Sequence, residues 1–340
     1  MAATDEQLMT SSTESRQQRA FAANELVACK SCSRTNPPTR ARCLYCGAAL
    51  ETAAEVATVA SANKVHETES ADVFHVVVIS AGGEGHEQTG EIARIVNLAP
   101  AELNLLLNAR CAPLFSTDSA QSAQDIADKL RAAGIESAAI TDVHLKIGTS
   151  PKQIAALTID DHALTATIRR NGERASVPWT ELALIVAGRL YFTTAEIEQK
   201  RGKSKHVLDE RQLTTDEAVL DIYVRGDDCG WRISAGSFDF SCLGSRKGIT
   251  AFENFASLVD MLRSRAGDAV FDDRYVKLRL ALNKVWPVAP QAKTTERRRT
   301  ATREINATST LTDNELQFTR YSRMLRYFQT RRSEDDARQP

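Results

Sequence analysis

Four cysteines near the start of the chain have the spacing of a metal site. Cys29 and Cys32 form one C-x-x-C pair, and Cys43 and Cys46 form a second pair after ten intervening residues. Two such pairs on two tight turns can close a tetrahedral shell of four thiolates around Zn²⁺ at about 2.3 Å per bond. The pattern therefore predicts one structural zinc ion with no open coordination position.

The ten residues between the pairs are too few to bury a core. The metal must therefore supply the folding free energy of this segment, on the order of 10 kcal/mol. A redox dithiol is the alternative for a single C-x-x-C pair, but two pairs at this spacing favour zinc. The remaining cysteines, Cys111, Cys229 and Cys242, lie apart in the sequence. We expect them to be free thiols in a reducing compartment.

The pattern C-x₂-C-x₃-N-x₆-C-x₂-C over residues 26–50 resembles the Ran-binding-protein-type zinc finger, which binds single-stranded RNA or ubiquitin. Val27 stands where that family has a tryptophan, and Ser33–Arg34 replaces the Thr-Phe pair of its ubiquitin binders. A generic zinc ribbon that docks a protein is the other interpretation, and we place it first. Residues that could still contact a nucleic acid or a partner are Asn36, Arg40, Arg42 and Tyr45.

The composition is that of an ordinary globular protein. The chain has 340 residues, of which 42% are hydrophobic and 26% charged, and its net charge is −1. This balance gives no overall field that would attract nucleic acid or an acidic membrane. We find no transmembrane run and no signal peptide, so we expect a cytoplasmic protein.

Changes in composition along the chain predict a multidomain α+β protein with room for two or three folded domains. The expected organisation is a disordered segment 1–25, a zinc ribbon 26–50, a flexible linker 51–71, a small β-α-α-β-α-β domain 72–145, a mostly-β, barrel-like domain capped by a helix 152–287, and a basic linker with an amphipathic helix 288–340.

The first of the larger domains begins with a continuous apolar run, Phe74–Ile79, typical of a buried strand. Its element order, with Asn97–Glu102 opening one helix and Leu130–Ile135 closing another, resembles the C-terminal domain of the bacterial ribosomal stalk protein. That family's domain recruits translation factors through a lysine-rich helix, whereas this chain has Glu91 and Arg94 there. The resemblance therefore implies a fold and a non-catalytic interaction module, without factor recruitment.

The second larger domain is predicted from a series of short strands. Asn171–Gly172 is a strong hairpin signal, and Thr250–Arg263 has the periodicity of one amphipathic helix. Over residues 152–265 this plan resembles the pleckstrin-homology-like superfold, which binds phosphoinositides, peptides or proteins. The basic loop Lys200–His206 could bind a phosphate headgroup, but a solvated loop is the favoured interpretation, so a phosphoinositide is not the expected partner.

Catalytic signals are weak throughout. Asp272 and Asp273 could serve a metal or an acid–base pair, but adjacent carboxylates before a helix are more typical of helix capping. We find no nucleophile with a matched histidine and acid, so the sequence does not predict an enzyme.

Near the end of the chain, residues 288–310 read as a disordered basic linker. Thr312–Glu315 then predicts the start of a helix. We leave two alternatives open: this helix binds a partner while detached, or it docks back on the preceding domain. Its candidate contacts to a nucleic acid or a partner are Arg320, Arg323 and Arg326.

These modules together predict a non-catalytic, zinc-binding cytoplasmic adaptor that binds protein partners through several small domains. The alternative is an RNA- or ribosome-associated factor that uses the zinc finger and the arginine-rich tail helix. The sequence does not identify the partner.

Overall fold

The computed structural model describes residues 27–28, 35–36, 72–81, 89–200, 207–299 and 304–336. The chain divides into two units, residues 1–62 and 63–340. The second unit therefore includes both of the larger domains that the sequence predicts separately.

In the first unit, two short strands pair. β1 (Val27–Ala28) is antiparallel to β2 (Thr35–Asn36). The four predicted zinc ligands, and most of the predicted ribbon, lie outside the described residues.

The second unit begins with a three-stranded antiparallel sheet in the order β4-β3-β5. The central strand is the apolar run predicted above, and Val76, Val77 and Val78 are completely buried. The element order over residues 72–145 is the expected β-α-α-β-α-β. Its elements are β3 (Phe74–Ala81), α1 (Thr89–Val96), α2 (Pro100–Leu107), β4 (Ala112–Thr117), α3 (Ala120–Ala132) and β5 (Ile135–Thr141).

A larger sheet follows. Its strands are β6 (Lys152–Ile159), β7 (Ala163–Ile168), β8 (Arg174–Pro178), β9 (Leu182–Lys200), β10 (Val207–Val224), β11 (Trp231–Ser234), β12 (Val270–Asp272), β13 (Pro290–Arg299) and β14 (Glu304–Asp313). Their order is β13-β14-β9-β10-β11-β6-β7-β8, and β12 pairs with β9 beside this path. Among the described strands the path has two ends, so the sheet is open rather than closed into a barrel.

The predicted hairpin lies between β7 and β8. Gly172 has a φ of 71°, a left-handed conformation that glycine adopts without steric cost. The predicted helix that follows is α4 (Ala251–Arg265). A capping box begins it: Glu253 N–H donates to the Thr250 hydroxyl, and Thr250 N–H donates to the Glu253 carboxylate, both at 3.2 Å.

Two more helices complete the unit, α5 (Tyr275–Val285) and α6 (Glu315–Asp336). Their buried side chains share one hydrophobic core with the three-stranded sheet and with β9 and β10. A second core lies between β6, β7, β9–β11 and α4. Because one core spans residues 76 to 328, the two larger domains of the sequence prediction form a single packed body.

The structure differs from the prediction at the end of the chain. Much of the expected disordered linker 288–310 forms β13 and β14, and β14 pairs with β9. The tail helix is docked in the core rather than detached, with Phe318, Tyr321 and Met324 completely buried. The strand that orders β13 and β14, β9, is about a hundred residues away in sequence. A local sequence pattern does not reveal so distant a partner.

The segment Phe238–Phe240 has the apolar alternation of a strand but forms none. The chain there forms two 3-10 turns, Ala235–Ser237 and Phe240–Arg246. Phe238 and Phe240 are both buried and meet edge to face at 4.9 Å. The apolar alternation reflects packing into the second core rather than a further strand.

Candidate functional site

The polar residues with the most unusual surroundings lie along α6 and the elements that surround it. Buried polar groups are costly unless they are hydrogen-bonded, so each of these residues must be accounted for by its partners. Their hydrogen bonds and their exposure show whether these residues could take part in a reaction or only connect helices and strands.

His75 is completely buried near the start of β3. Its Nε2 lies 2.9 Å from the Asp142 carboxylate, and its Nδ1 lies 3.0 Å from the indole Nε1 of Trp286. An indole N–H can only donate, so Nδ1 must accept and Nε2 must carry the proton. Burial lowers the pKa of His75, although Asp142 acts in the opposite direction. The imidazole is therefore held neutral.

Asp142 joins this histidine to α6. Both oxygens of its carboxylate accept from Arg320, at 3.0 Å from Nε and 2.6 Å from Nη2. Burial by itself would raise the pKa of Asp142, but the hydrogen bonds from His75 and Arg320 outweigh it and lower the pKa. The bidentate geometry is the strong form of an arginine–carboxylate pair.

The other two arginines proposed from the sequence are also used within the protein. Arg323 is 2% exposed and donates to the backbone carbonyls of Lys146 and Thr149. Arg326 is 6% exposed, and its Nη2 donates to the Val224 carbonyl at 3.1 Å. Contact with a nucleic acid would require all three helix arginines, Arg320 included, to leave these bonds.

Asp272 ends β12 and is buried. Its Oδ1 accepts from the Tyr321 hydroxyl at 2.8 Å, and its Oδ2 accepts from Arg274 Nε at 2.6 Å. Burial, followed by the charge of Asp272, raises the pKa of Tyr321. The expected capping role accounts for one bond only, from Arg274 N–H, so Asp272 chiefly connects β12 to α6.

A further buried pair joins β10 to β11. Arg232, 1% exposed, donates to both oxygens of Asp221 at 2.7 and 2.8 Å. It also reaches Glu315 and Thr319 at the start of α6. Burial opposes the charged form, but the charge of Asp221 outweighs it and raises the pKa of Arg232.

The hydrogen bonds of these groups connect helices and strands to one another rather than form a reaction site. The histidine, the carboxylates and the arginines named above bond to one another, to neighbouring aromatic and hydroxyl side chains or to backbone groups, and His75, Asp221 and Arg232 have almost no exposed surface. A general acid or base must lie within hydrogen-bond reach of its substrate, which this burial prevents. Among the described residues, no group of three or more His, Cys, Asp or Glu is arranged to hold a metal ion.

The exposed face of α5 is different in character. Val276 and Leu280, four residues apart, are 43% and 80% exposed, while Leu278 and Leu282 on the same helix are buried. Lys277 and Lys284 are also exposed on this helix. Residues four apart lie on the same face of a helix, so α5 presents an apolar pair bordered by lysines. This face is a candidate surface for a protein partner.

Of the binding residues predicted in the first unit, Asn36 lies in β2, opposite Val27. Arg40, Arg42 and Tyr45 lie outside the described residues. Their role, like that of the four cysteines, remains a prediction.

The sequence reading did not identify His75, Asp142 or Asp221. The available signal was a single polar residue inside an apolar strand: His75 interrupts Phe74–Ile79, and Asp221 interrupts the strand around Ile222. A polar side chain at such a position needs a buried partner. The identity of that partner depends on the tertiary fold.

Among the described helices, none combines the length and the apolar character needed to cross a membrane. Comparison with protein-family models, with curated proteins and with solved structures finds no match to this chain.

Proposed function

We propose that this chain is a non-catalytic adaptor, with one structural zinc ion in its first unit and a protein-binding surface on its second unit. The observation that carries this proposal is the exposed apolar pair Val276 and Leu280 on a helix whose other face is firmly packed. Large apolar side chains next to each other on a surface are typical of interaction sites. The bordering lysines favour a partner segment that combines apolar and acidic residues.

The zinc half of the proposal rests on the two C-x-x-C pairs. The paired strands β1 and β2 flank the interval that contains Cys29 and Cys32. A C-x-x-C pair can direct two thiolates to one ion. Cys29, Cys32, Cys43 and Cys46 would hold the zinc, which would stabilise the first unit and take no part in a reaction.

The zinc content of the purified protein tests the zinc part of the proposal. The purified full chain should contain about one zinc per molecule, and a Cys29→Ser/Cys43→Ser variant should contain almost none. Cys242→Ser is the control, because Cys242 is a free cysteine of the second unit and its loss should leave the zinc in place. A wild-type chain without zinc would contradict the assignment.

Capture from a native lysate tests the surface. We expect discrete proteins to stay bound to the full chain after nuclease treatment and to be lost from a Leu280→Lys variant. Val143→Lys is the matched control, since Val143 is 66% exposed but lies in a turn away from α5 in sequence. Equal capture by wild type and Leu280→Lys would contradict the proposed surface.

The same experiment tests the RNA- or ribosome-associated alternative. Nucleic-acid binding would now depend on Asn36, Arg40, Arg42 and Tyr45, because the helix arginines are bonded within the second unit. If every captured species disappears with nuclease, and binding weakens steeply with salt, the alternative replaces the adaptor proposal.

A further inference from the structure

A cavity of about 660 Å³ opens on the second unit beside the C-terminal half of α6. The turn between α2 and β4, the start of β9, the end of β10 and the segment from residue 268 to 274 form its other walls. This volume lies within the range of small-molecule sites, about 300–1,000 Å³. The cavity is separate from the exposed face of α5.

Arginines dominate its charged lining. The arginines are Arg110, Arg225, Arg274, Arg326 and Arg332. The acidic side chains among the lining residues are Asp268 and Asp272. Five positive charges against two negative ones give this lining a net charge of +3. A concave surface of one charge sign concentrates the field and attracts counter-ions.

Not all of these arginines are available to a ligand. Arg274 is bonded to Asp272 and to the Ala109 carbonyl. Arg225 uses its Nε on the Thr180 carbonyl at 3.2 Å. Arg110 and Arg332, both exposed, form no ion pair with any described residue, and Arg332 has only a long contact of 3.9 Å to Cys111 Sγ.

Arg326 lines the wall, but its donors face the protein. Its Nη2 donates to the Val224 carbonyl at 3.1 Å, and its Nη1 lies 3.4 Å from the Gln329 side-chain oxygen. Its buried Nε lies 3.8 Å from Asp228, a residue outside this lining. Arg326 therefore contributes positive charge to the wall rather than a donor for a ligand.

The backbone at the cavity mouth is strained. Arg110 and Cys111 are consecutive non-glycine residues with φ of 46° and 54°. The left-handed region is uncommon for such residues, and strain of this kind is concentrated at functional sites. Arg274 holds this turn through the Ala109 carbonyl, so one arginine of the lining fixes the position of another.

Part of the remaining lining is apolar and suits an organic ligand rather than a bare ion. Leu184, Leu325 and Phe328 are buried side chains of the wall, and Val270 is half exposed at its surface. An aromatic or aliphatic body could pack here while the arginines bind the charged group. Arginine binds phosphate oxygens in pairs, through its planar fork of donors.

We propose that this cavity binds a phosphorylated small molecule with an apolar or aromatic body, of the size and charge of a nucleoside diphosphate. Arg110 and Arg332 supply exposed guanidinium groups, Arg326 adds positive charge to the wall, and Phe328 with its leucine neighbours contacts the body. The site is one of binding only: it requires no bond to be made or broken.

Calorimetric titration of the full chain with ADP and with inorganic pyrophosphate tests the proposal. ADP should bind measurably, and pyrophosphate more weakly because it lacks the apolar body. Raising the salt concentration should weaken both. No measurable binding of ADP at about 1 mM would overturn the proposal, and equal affinity for the two probes would overturn the role of the apolar wall.

Variants locate the binding. Arg110→Gln and Arg332→Gln remove exposed guanidinium groups, so both should fold, and each should raise the Kd for ADP about tenfold. Val270→Asp, which adds a carboxylate to the wall, should weaken binding at least as much. Arg331→Gln is the matched control, because Arg331 is next to Arg332 on α6 but lies over the Tyr327 ring and does not line this cavity.

The Arg331→Gln control distinguishes binding in the cavity from general electrostatic attraction to the basic helix. Binding that Arg331→Gln leaves within twofold and Arg332→Gln reduces tenfold supports the cavity. Equal losses in the two variants would show attraction to the basic helix alone and would overturn the proposal. The result is independent of the adaptor function, because Leu280→Lys should not change ADP binding.

Discussion

The indole N–H of Trp286 lies 3.0 Å from Nδ1 of His75, and the two rings meet edge to face with centroids 5.3 Å apart. Trp286 follows the end of α5, whereas His75 lies in β3, so this one bond joins segments 211 residues apart in sequence. Since an indole N–H cannot accept, a proton on Nδ1 would place two donors against each other. The contact therefore requires the neutral imidazole.

The stability of the second unit should fall as the pH falls below about 6.5. Above that pH, His75 is neutral in both the folded and the unfolded chain. Below it, the unfolded chain takes up a proton that the folded chain resists, because burial lowers the pKa of His75. The free energy of unfolding should then decrease by at most about 1.4 kcal/mol per pH unit from this group.

Denaturant unfolding between pH 7.5 and 5, followed by tryptophan fluorescence, measures this slope. A His75→Gln variant should be less stable but should have a shallower slope, whereas His162→Gln, which removes an exposed histidine, should keep the wild-type slope. Asp142 does not contribute in this window, since its lowered pKa affects stability only below about 3.8. An unchanged slope in His75→Gln would contradict the prediction.

Replacing Asp142 with Asn should destabilise the second unit by about 3 kcal/mol. The change leaves Arg320, whose side chain is 15% exposed, without its bidentate carboxylate, and an unpaired, largely buried charge is costly. The matched control is Asp128→Asn, which breaks an exposed pair with Arg131 on α3 and should change stability very little. Similar unfolding free energies for the two variants would show that the buried pair has no special importance.

A double-mutant cycle on Arg232 and Asp221 should show strong coupling. Arg232→Met leaves a buried carboxylate, and Asp221→Leu leaves a buried guanidinium, so each should cost about 3–5 kcal/mol. The double variant removes both charges and should be more stable than either single variant. Additive losses would contradict a coupled pair.

Gly188→Ala should destabilise the packing between β9 and α6. A Cβ added at Gly188 would overlap the ring of Phe318, which is completely buried and cannot move aside easily. Overpacking of this kind costs about 1–3 kcal/mol. Gly148→Ala is the control, because a Cβ there meets nothing within 4 Å. Thermal unfolding of both variants measures the difference, and equal transition temperatures would refute the predicted clash.

Local pattern was enough to predict most of the elements before residue 285. The apolar run at Phe74–Ile79, the Asn171–Gly172 turn and the spacing of α4 each depend on side chains within one element, and the structure has a strand, a hairpin and a helix at these positions. The cysteine pairs are also a local signal, because the spacing of the four cysteines is enough to predict a set of metal ligands. That zinc assignment remains a prediction.

The tertiary structure decided what the polar side chains of α6 do. The sequence shows Arg320, Arg323 and Arg326 on an amphipathic helix, and such a pattern fits a partner-binding helix as well as a buried one. Asp142, Lys146 and Val224, whose groups accept from these arginines, lie about 100 to 180 residues away. Local spacing determines whether a segment is helical, but the bonding of its charges depends on which distant elements fold around it.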